Sequence, residues 1–286
     1  MIKKVLLSIA LGMLVLFGLA DPALAWGPGV HLNLCNQVLS RLDLVTLSVA
    51  RVLERYPLAY MYGCLSADFL VGKGKKLSAN HCHSWQSGFR LLQRIQDPEL
   101  QAYAYGYLSH LAADVVAHNY YVPNMLQLGK GRGRLSHVYI ELQADSKTKH
   151  CTQELKEIMN NSWKAADHYL QNVLRKSRFS FSLKKKIYKK SLAVSRNNTC
   201  FSSLQLLDRH FPERSCEEYL EDMLQLSRQA VLDCMNQQKS SQVCDHDPMG
   251  FEHLGLVRKN GRPVSGVLGD DHSRVFFLPS MNLLSL

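Results

Sequence analysis

An all-α fold is what this sequence predicts, on three observations. Apolar residues recur at helical spacing over several long stretches, prolines and glycines punctuate those stretches, and only RVFFLP near the carboxyl end reads as an extended piece. From Val30 to Arg55 the positions Leu34, Val38, Leu42, Val45, Val49, Val52 and Leu53 follow a helical stripe, bounded by Pro57. Leu58 to Leu70 is mostly apolar and reads as a second, short helix that ends near the turn VGKGKK. Ser84 to Ile95 is weakly amphipathic. Asp97-Pro98 then opens a helix from Glu99 to about Tyr120, and Pro123 is expected to end it, because proline lacks the amide hydrogen that a helix interior uses. GKGRG, residues 129–133, is too flexible for a helix and lacks the spacing of a phosphate-cradling loop. Helical patterns return at Leu135 to Ala144, Cys151 to Leu174 and Cys216 to Met235, and the chain after Cys244 is turn-rich.

The amino terminus has the three parts of a secretory signal peptide. Lys3 and Lys4 precede an apolar run from Val5 to Ala20, and Ala23-Leu24-Ala25 supplies the small-residue cleavage site. Cleavage would make Trp26 the first residue of a secreted or periplasmic protein. The expected organisation is a signal peptide over 1–25, one mainly helical domain over 26–245 and an irregular tail over 246–286. No later segment is apolar enough to span a membrane. All eight cysteines (35, 64, 82, 151, 200, 216, 234 and 244) follow the signal, an even number that permits disulfides without specifying their pairing. No CxxC pair marks a thiolate zinc site. The formal net charge is +10, and much of the excess lies in RKSRFSFSLKKKIYKK, residues 175–190, where Phe179, Phe181 and Tyr188 interleave with the cations. A stretch of this kind suits an anionic bilayer or nucleic acid, and equally a plain solvated face.

GYLSHLAADVVAH, residues 106–118, carries three side chains that do not fit an apolar core helix: His110, Asp114 and His118. On a helix, residues four apart are 400° around the axis, so all three occupy one flank. Together they offer the nitrogen and oxygen donors that zinc takes. A single buried histidine is usually just hydrogen-bonded, but three such groups among Leu108, Leu111, Val115 and Val116 would leave a buried carboxylate uncompensated. His137 and Glu141 repeat the four-residue spacing, Asp68 interrupts the apolar GCLSADFL, and His81 and His83 lie in NHCHSW. At the expected mature start, WGPGVH, the freed amino group and carbonyl of Trp26 are available as ligands at neutral pH, with His31 five residues on.

The set WGPGVH, GCLSADF, HCHSW, GYLSHLAADVVAH and HVYIE resembles the zinc-dependent phospholipase C family, which is related to the single-strand nucleases and to the catalytic domain of glycosylphosphatidylinositol-specific phospholipase D. The resemblance covers roughly Trp26 to Glu141. It implies a mainly helical domain holding up to three zinc ions. One would take Asp68, His81, His110 and Asp114; a second the Trp26 amino and carbonyl groups, His31 and a shared Asp114; a third His118, His137 and Glu141. His83 is an alternative to His81 or a donor behind it. The five-residue spacing from Trp26 to His31 is that of the nucleases, Glu141 resembles the phospholipases, and Gly29 stands where choline-specific members carry an acid.

The implied activity is zinc-dependent hydrolysis of phospholipid phosphodiester bonds by metal-activated water, with Asp68 as the catalytic base candidate. The expected partner is a phospholipid membrane surface, met peripherally through residues 175–190, and no dedicated protein partner is indicated. Two alternatives share the same donors: a single-strand nuclease, with nucleic acid as partner and Phe69 or Trp85 stacking on bases, and a non-catalytic zinc-containing lipid-binding protein.

Overall fold

A computed structural model describes residues 26–70, 80–93, 95–128, 134–148, 152–195 and 217–259, together with 277, 279, 283 and 284. The expected signal peptide, the turn VGKGKK and the GKGRG loop lie outside the described residues, as does most of RVFFLP. Among the described residues the fold is all-α. The helices are α1 (Pro28–Leu39), α2 (Leu47–Arg55), α3 (Pro57–Ser66), α4 (Trp85–Leu92), α5 (Pro98–Val116), α6 (Val122–Leu128), α7 (Arg134–Lys147), α8 (Thr152–Asn160), α9 (Lys164–Leu174), α10 (Arg178–Ser195), α11 (Glu217–Gln237) and α12 (Phe251–Lys259).

Local chemistry sets several boundaries. Pro28, Pro57 and Pro98 sit in the first turns of α1, α3 and α5, where a missing amide hydrogen costs nothing. Ser84 and Asp97 cap α4 and α5 by accepting the amide hydrogens of Ser87 and Glu99 at 3.1 and 2.9 Å. Two expected helices are each divided. The Val30–Arg55 stripe breaks over Ser40–Thr46, where the Thr46 amide donates to Asn236 Oδ1 at 2.9 Å instead of continuing a helix. The Cys151–Leu174 run breaks after Asn160, and the Trp163 indole closes the corner by donating to the Ile158 carbonyl at 2.7 Å.

α5 is the axis of the molecule. It is buried on nearly every side over its last four turns, which explains its all-round apolar sequence. α3, α4 and α11 pack around it. Where α3 crosses it, two glycines let the backbones touch: a Cβ at Gly106 would lie 1.8 Å from the Tyr60 carbonyl oxygen, and one at Gly63 would lie 1.9 Å from that of Tyr103.

Pro123 does not end this helix. The chain continues through a π-type turn, Ala117–Tyr121, into α6, which contains the proline. Inside an α-helix Pro123 would orphan the carbonyl of Asn119, four residues back. Here that carbonyl accepts from His253 Nδ1 of α12 at 2.6 Å, so a tertiary contact replaces the lost helical bond.

The chain from residue 246 onward, expected to be irregular, begins with a tight turn and the regular helix α12. Asp247 starts that helix, its two oxygens accepting the amides of Met249 and Phe251 at 2.9 and 3.0 Å. Leu254 and Val257 then join the common core. Residues 175–190 also form ordered structure, most of it in α10. No helix among the described residues is long and apolar enough to cross a membrane.

Candidate metal centre

His110 and Asp114 come from the last turns of α5 and His118 from the π-type turn after it. The short 3-10 turn that follows α3 brings Asp68 to the same place, α1 brings His31, and the turn before α4 brings His83. Asp114 is the hub. Its Oδ1 lies 3.3 Å from His31 Nε2, while its Oδ2 lies 3.3 Å from His83 Nε2 and 3.2 Å from His110 Nε2. Asp68 Oδ1 faces the same two rings, at 3.3 Å from His83 and 3.5 Å from His110. The rings of His31 and His110 stack at 4.0 Å. One turn further along, His118 meets His137 with ring centroids 5.7 Å apart, and His137 Nε2 is 2.7 Å from Glu141 Oε1.

The nine candidates read from the sequence therefore do not all converge. His31, Asp68, His110 and Asp114 form one knot, and His118, His137 and Glu141 a neighbouring one. His83, not His81, completes the first knot. His81 is half-buried, and its Nδ1 accepts the His83 amide at 3.1 Å. Trp26 is fully buried, its indole donating to the Ala113 carbonyl at 3.1 Å and to Ser227 Oγ at 3.2 Å, which anchors this residue between α5 and α11.

Four groups were not anticipated. Cys64 brings its thiol within 4.8 Å of donor nitrogens of His31 and His110. The Cys82 sulfur lies 3.3 Å from His83 Nδ1. The Pro248 carbonyl accepts from His118 Nδ1 at 2.6 Å, which fixes the tautomer and leaves His118 Nε2 with a lone pair facing inward. Asp145 Oδ1 accepts the Val30 amide at 2.9 Å and presses on Gly27, where a Cβ would lie 2.4 Å from it. Asp145 continues the stripe of His137 and Glu141 by four more residues, so its position was readable. A backbone carbonyl such as that of Pro248 leaves no such trace.

The donor set suits a cation better than it suits itself. Asp68 Oδ1, both oxygens of Asp114 and His118 Nε2 are buried without a well-formed hydrogen bond, an arrangement that is rare unless something else satisfies such atoms. Burial alone would raise the Asp114 pKa, but His110, His31 and His83 overrule it and hold the carboxylate well below its ordinary range. Burial, and then the charges of Asp68, Asp114 and Asp145, push Glu141 well above the usual carboxylate range. Burial lowers the pKa of His118, and burial together with His110 lowers that of His31, so both rings favour the neutral form a metal binds. His81 is lowered to about 4 by burial and by His83, Lys176 and Lys184.

Donor atoms of three residues each converge within 4.8 Å in four combinations among the described residues: Asp68, His83 and His110; His31, Cys64 and His110; His81, Cys82 and His83; and His118, His137 and Glu141. A family model described as zinc dependent phospholipase C matches residues 30–183, more than half of the chain. The chain belongs to the zinc-dependent phospholipase C family. No curated protein and no solved structure matches it. The matched segment contains every clustered donor named above and reaches only the start of α10, Arg178 to Leu183. The clusters offer the nitrogen, oxygen and sulfur donors that could hold zinc. The disulfides that the cysteine count permitted do not form among the described residues, where Cys35, Cys64, Cys82, Cys234 and Cys244 are all free thiols.

Proposed function

We propose that the protein is a zinc-dependent phosphodiester hydrolase of the phospholipase C type, acting on membrane phospholipids. The observation that carries this reading is the split of Asp114, whose two oxygens face different histidines, as a carboxylate shared between two cations would. In this reading Asp68, His83, His110 and Asp114 would hold one zinc, and Asp114 and His31 would hold a second. His118, His137 and Glu141 would hold a third. Export and cleavage after Ala25 would add the Trp26 amino and carbonyl groups to the second site, so a precursor would be incomplete.

Zinc bound there would acidify water and draw charge from the phosphoryl oxygens. The chain's own residues supply geometry and proton transfer. Asp114, held ionised by three histidines, fixes the spacing of the two sites it shares. Asp68 would take the proton from the water that attacks phosphorus, its carboxylate facing the same two histidine rings as Asp114 Oδ2. The bond on the glycerol side breaks, the departing oxygen gains a proton from solvent, and the products are diacylglycerol and a phosphomonoester.

The nuclease alternative needs aromatic platforms for bases. Phe69 is buried against Tyr62, Phe181 and Tyr188, and Trp85 stacks on Phe89 while its indole donates to the His246 carbonyl at 2.8 Å. Both rings already have protein partners, which supports the lipid reading. The test is to incubate zinc-loaded protein with mixed phospholipid vesicles and, separately, with single-stranded DNA, following phosphomonoester and nucleotide release. Diacylglycerol and phosphomonoester from vesicles are expected, with turnover reduced about 100-fold or more in Asp68→Asn. Release of nucleotides alone would move the activity to nucleic acid.

A further inference from the structure

The basic stretch 175–190 contains eight Lys or Arg residues and no Asp or Glu. The register of α10 sorts its side chains in a way the sequence did not reveal. Of the aromatic residues interleaved with the cations, Phe181 is buried and the Tyr188 ring packs 4.9 Å from that of Phe69, the residue after Asp68. Lys185 is also turned inward. Its Nζ lies 2.6 Å from Asp167 Oδ2 and 5.0 Å from the centre of the Tyr62 ring. Lys189 donates to the Met159 carbonyl and to Asn160 Oδ1 at 3.2 and 2.7 Å. The helix is thus pinned beside the metal centre along one face.

The opposite face carries Phe179, Leu183, Lys186 and Lys190, spaced by four, three and four residues, which is one stripe of a helix. Phe179 is 81 % exposed and Leu183 48 % exposed, and both lysines are exposed. Isolated exposed apolar residues are ordinary. Here two neighbours share a stripe, with cations beyond them and Lys176 and Arg178 exposed at the near end. A solvated face has no use for the phenylalanine, whereas an interfacial helix puts its apolar residues below the headgroups and its cations level with the phosphates.

We propose that this outer stripe of α10 is the surface by which the protein docks on an anionic lipid bilayer, Phe179 and Leu183 entering the acyl boundary and Lys186 and Lys190 meeting lipid phosphates. The proposal rests on the lipid reading of the site and deepens it. Docking through this stripe would hold α10 against the bilayer, with Phe69 and the metal centre behind its inner face.

Two surface variants of the full zinc-loaded protein test this, Phe179→Ser with Leu183→Ser, and Lys186→Gln with Lys190→Gln. Each is assayed by co-sedimentation with phosphatidylcholine vesicles, with and without phosphatidylglycerol, and by hydrolysis of the water-soluble diester bis(p-nitrophenyl) phosphate. Loss of the apolar pair should weaken binding to anionic vesicles about ten-fold. Loss of the lysine pair should weaken it several-fold, most strongly at low salt. Hydrolysis of the soluble diester should be unchanged in both, which also shows that each variant is folded. Wild-type binding in both variants would overturn the proposal, as would a wild-type protein that ignores anionic vesicles and binds single-stranded DNA. Weakened vesicle binding by variants that keep the wild-type circular dichroism spectrum and thermal midpoint, with no diester hydrolysis by any form, would uphold the docking surface and remove the hydrolase reading instead.

Discussion

Asp114 is the residue on which the proposed chemistry turns. Replacing it with Asn keeps the shape but removes the charge that three histidines stabilise. Zinc content by elemental analysis should fall, and vesicle hydrolysis should drop at least about 100-fold. The two histidines of the HCH turn make a sharper comparison. His83→Ala should weaken zinc binding about 10- to 100-fold or more, whereas His81→Ala should leave stoichiometry intact, since only His83 faces Asp68, His110 and Asp114. Equal losses in the two variants would contradict this geometry. Asp145→Ala should cost about 1–2 kcal/mol in urea unfolding by freeing the first turn of α1, which carries His31. The four-residue stripes of α5 and α7 were legible in the sequence because helical periodicity is local. The choice between His81 and His83 was not, because neighbouring residues in a turn face different ways for reasons set by tertiary packing.

Helices here are placed by contacts more than by propensity. α3 and α5 meet backbone to backbone, so Gly106→Ala should destabilise the protein by about 3 kcal/mol in denaturant melts, its new methyl colliding with the Tyr60 carbonyl. A cost within experimental error would mean that the helices can separate without penalty. The π-type turn is the element that sequence reading missed. Pro123 was a sound stop signal by local rules, and it was overridden by His253, which lies 134 residues from the carbonyl it satisfies. Gly250 completes that contact. It has φ +55, and a Cβ there would lie 2.3 Å from the His118 carbonyl oxygen, so only glycine lets the start of α12 lie against this turn. The start of the supposed tail is thereby tied to the third group of donors through His118. The same dependence on packing governs α10. Its charge was plain in the sequence, but which residues face outward followed only from the way Phe181, Lys185 and Tyr188 are anchored.

Among the described residues, the molecule is a helical shell around two adjoining knots of donors drawn from α1, α5, α7 and three turns. Metal should therefore stabilise the fold. At free zinc 100 times the dissociation constant, each independent site adds about 2.7 kcal/mol, so chelation should lower the thermal midpoint clearly. An unchanged midpoint would mean that the knots hold no metal. The all-helical class, the family and most of the donors were visible in the sequence because they rest on period and residue type. The boundaries of the broken helices and the Pro248 carbonyl depend on long-range contacts and were not. The measurement that bears most directly on the central claim is release of phosphomonoester from phospholipid vesicles by zinc-loaded wild-type protein beside its Asp114→Asn variant. Release by the wild type, abolished by chelator and nearly absent in the variant, is the predicted result; equal release by both proteins, or none from vesicles by a protein carrying its zinc, would contradict it.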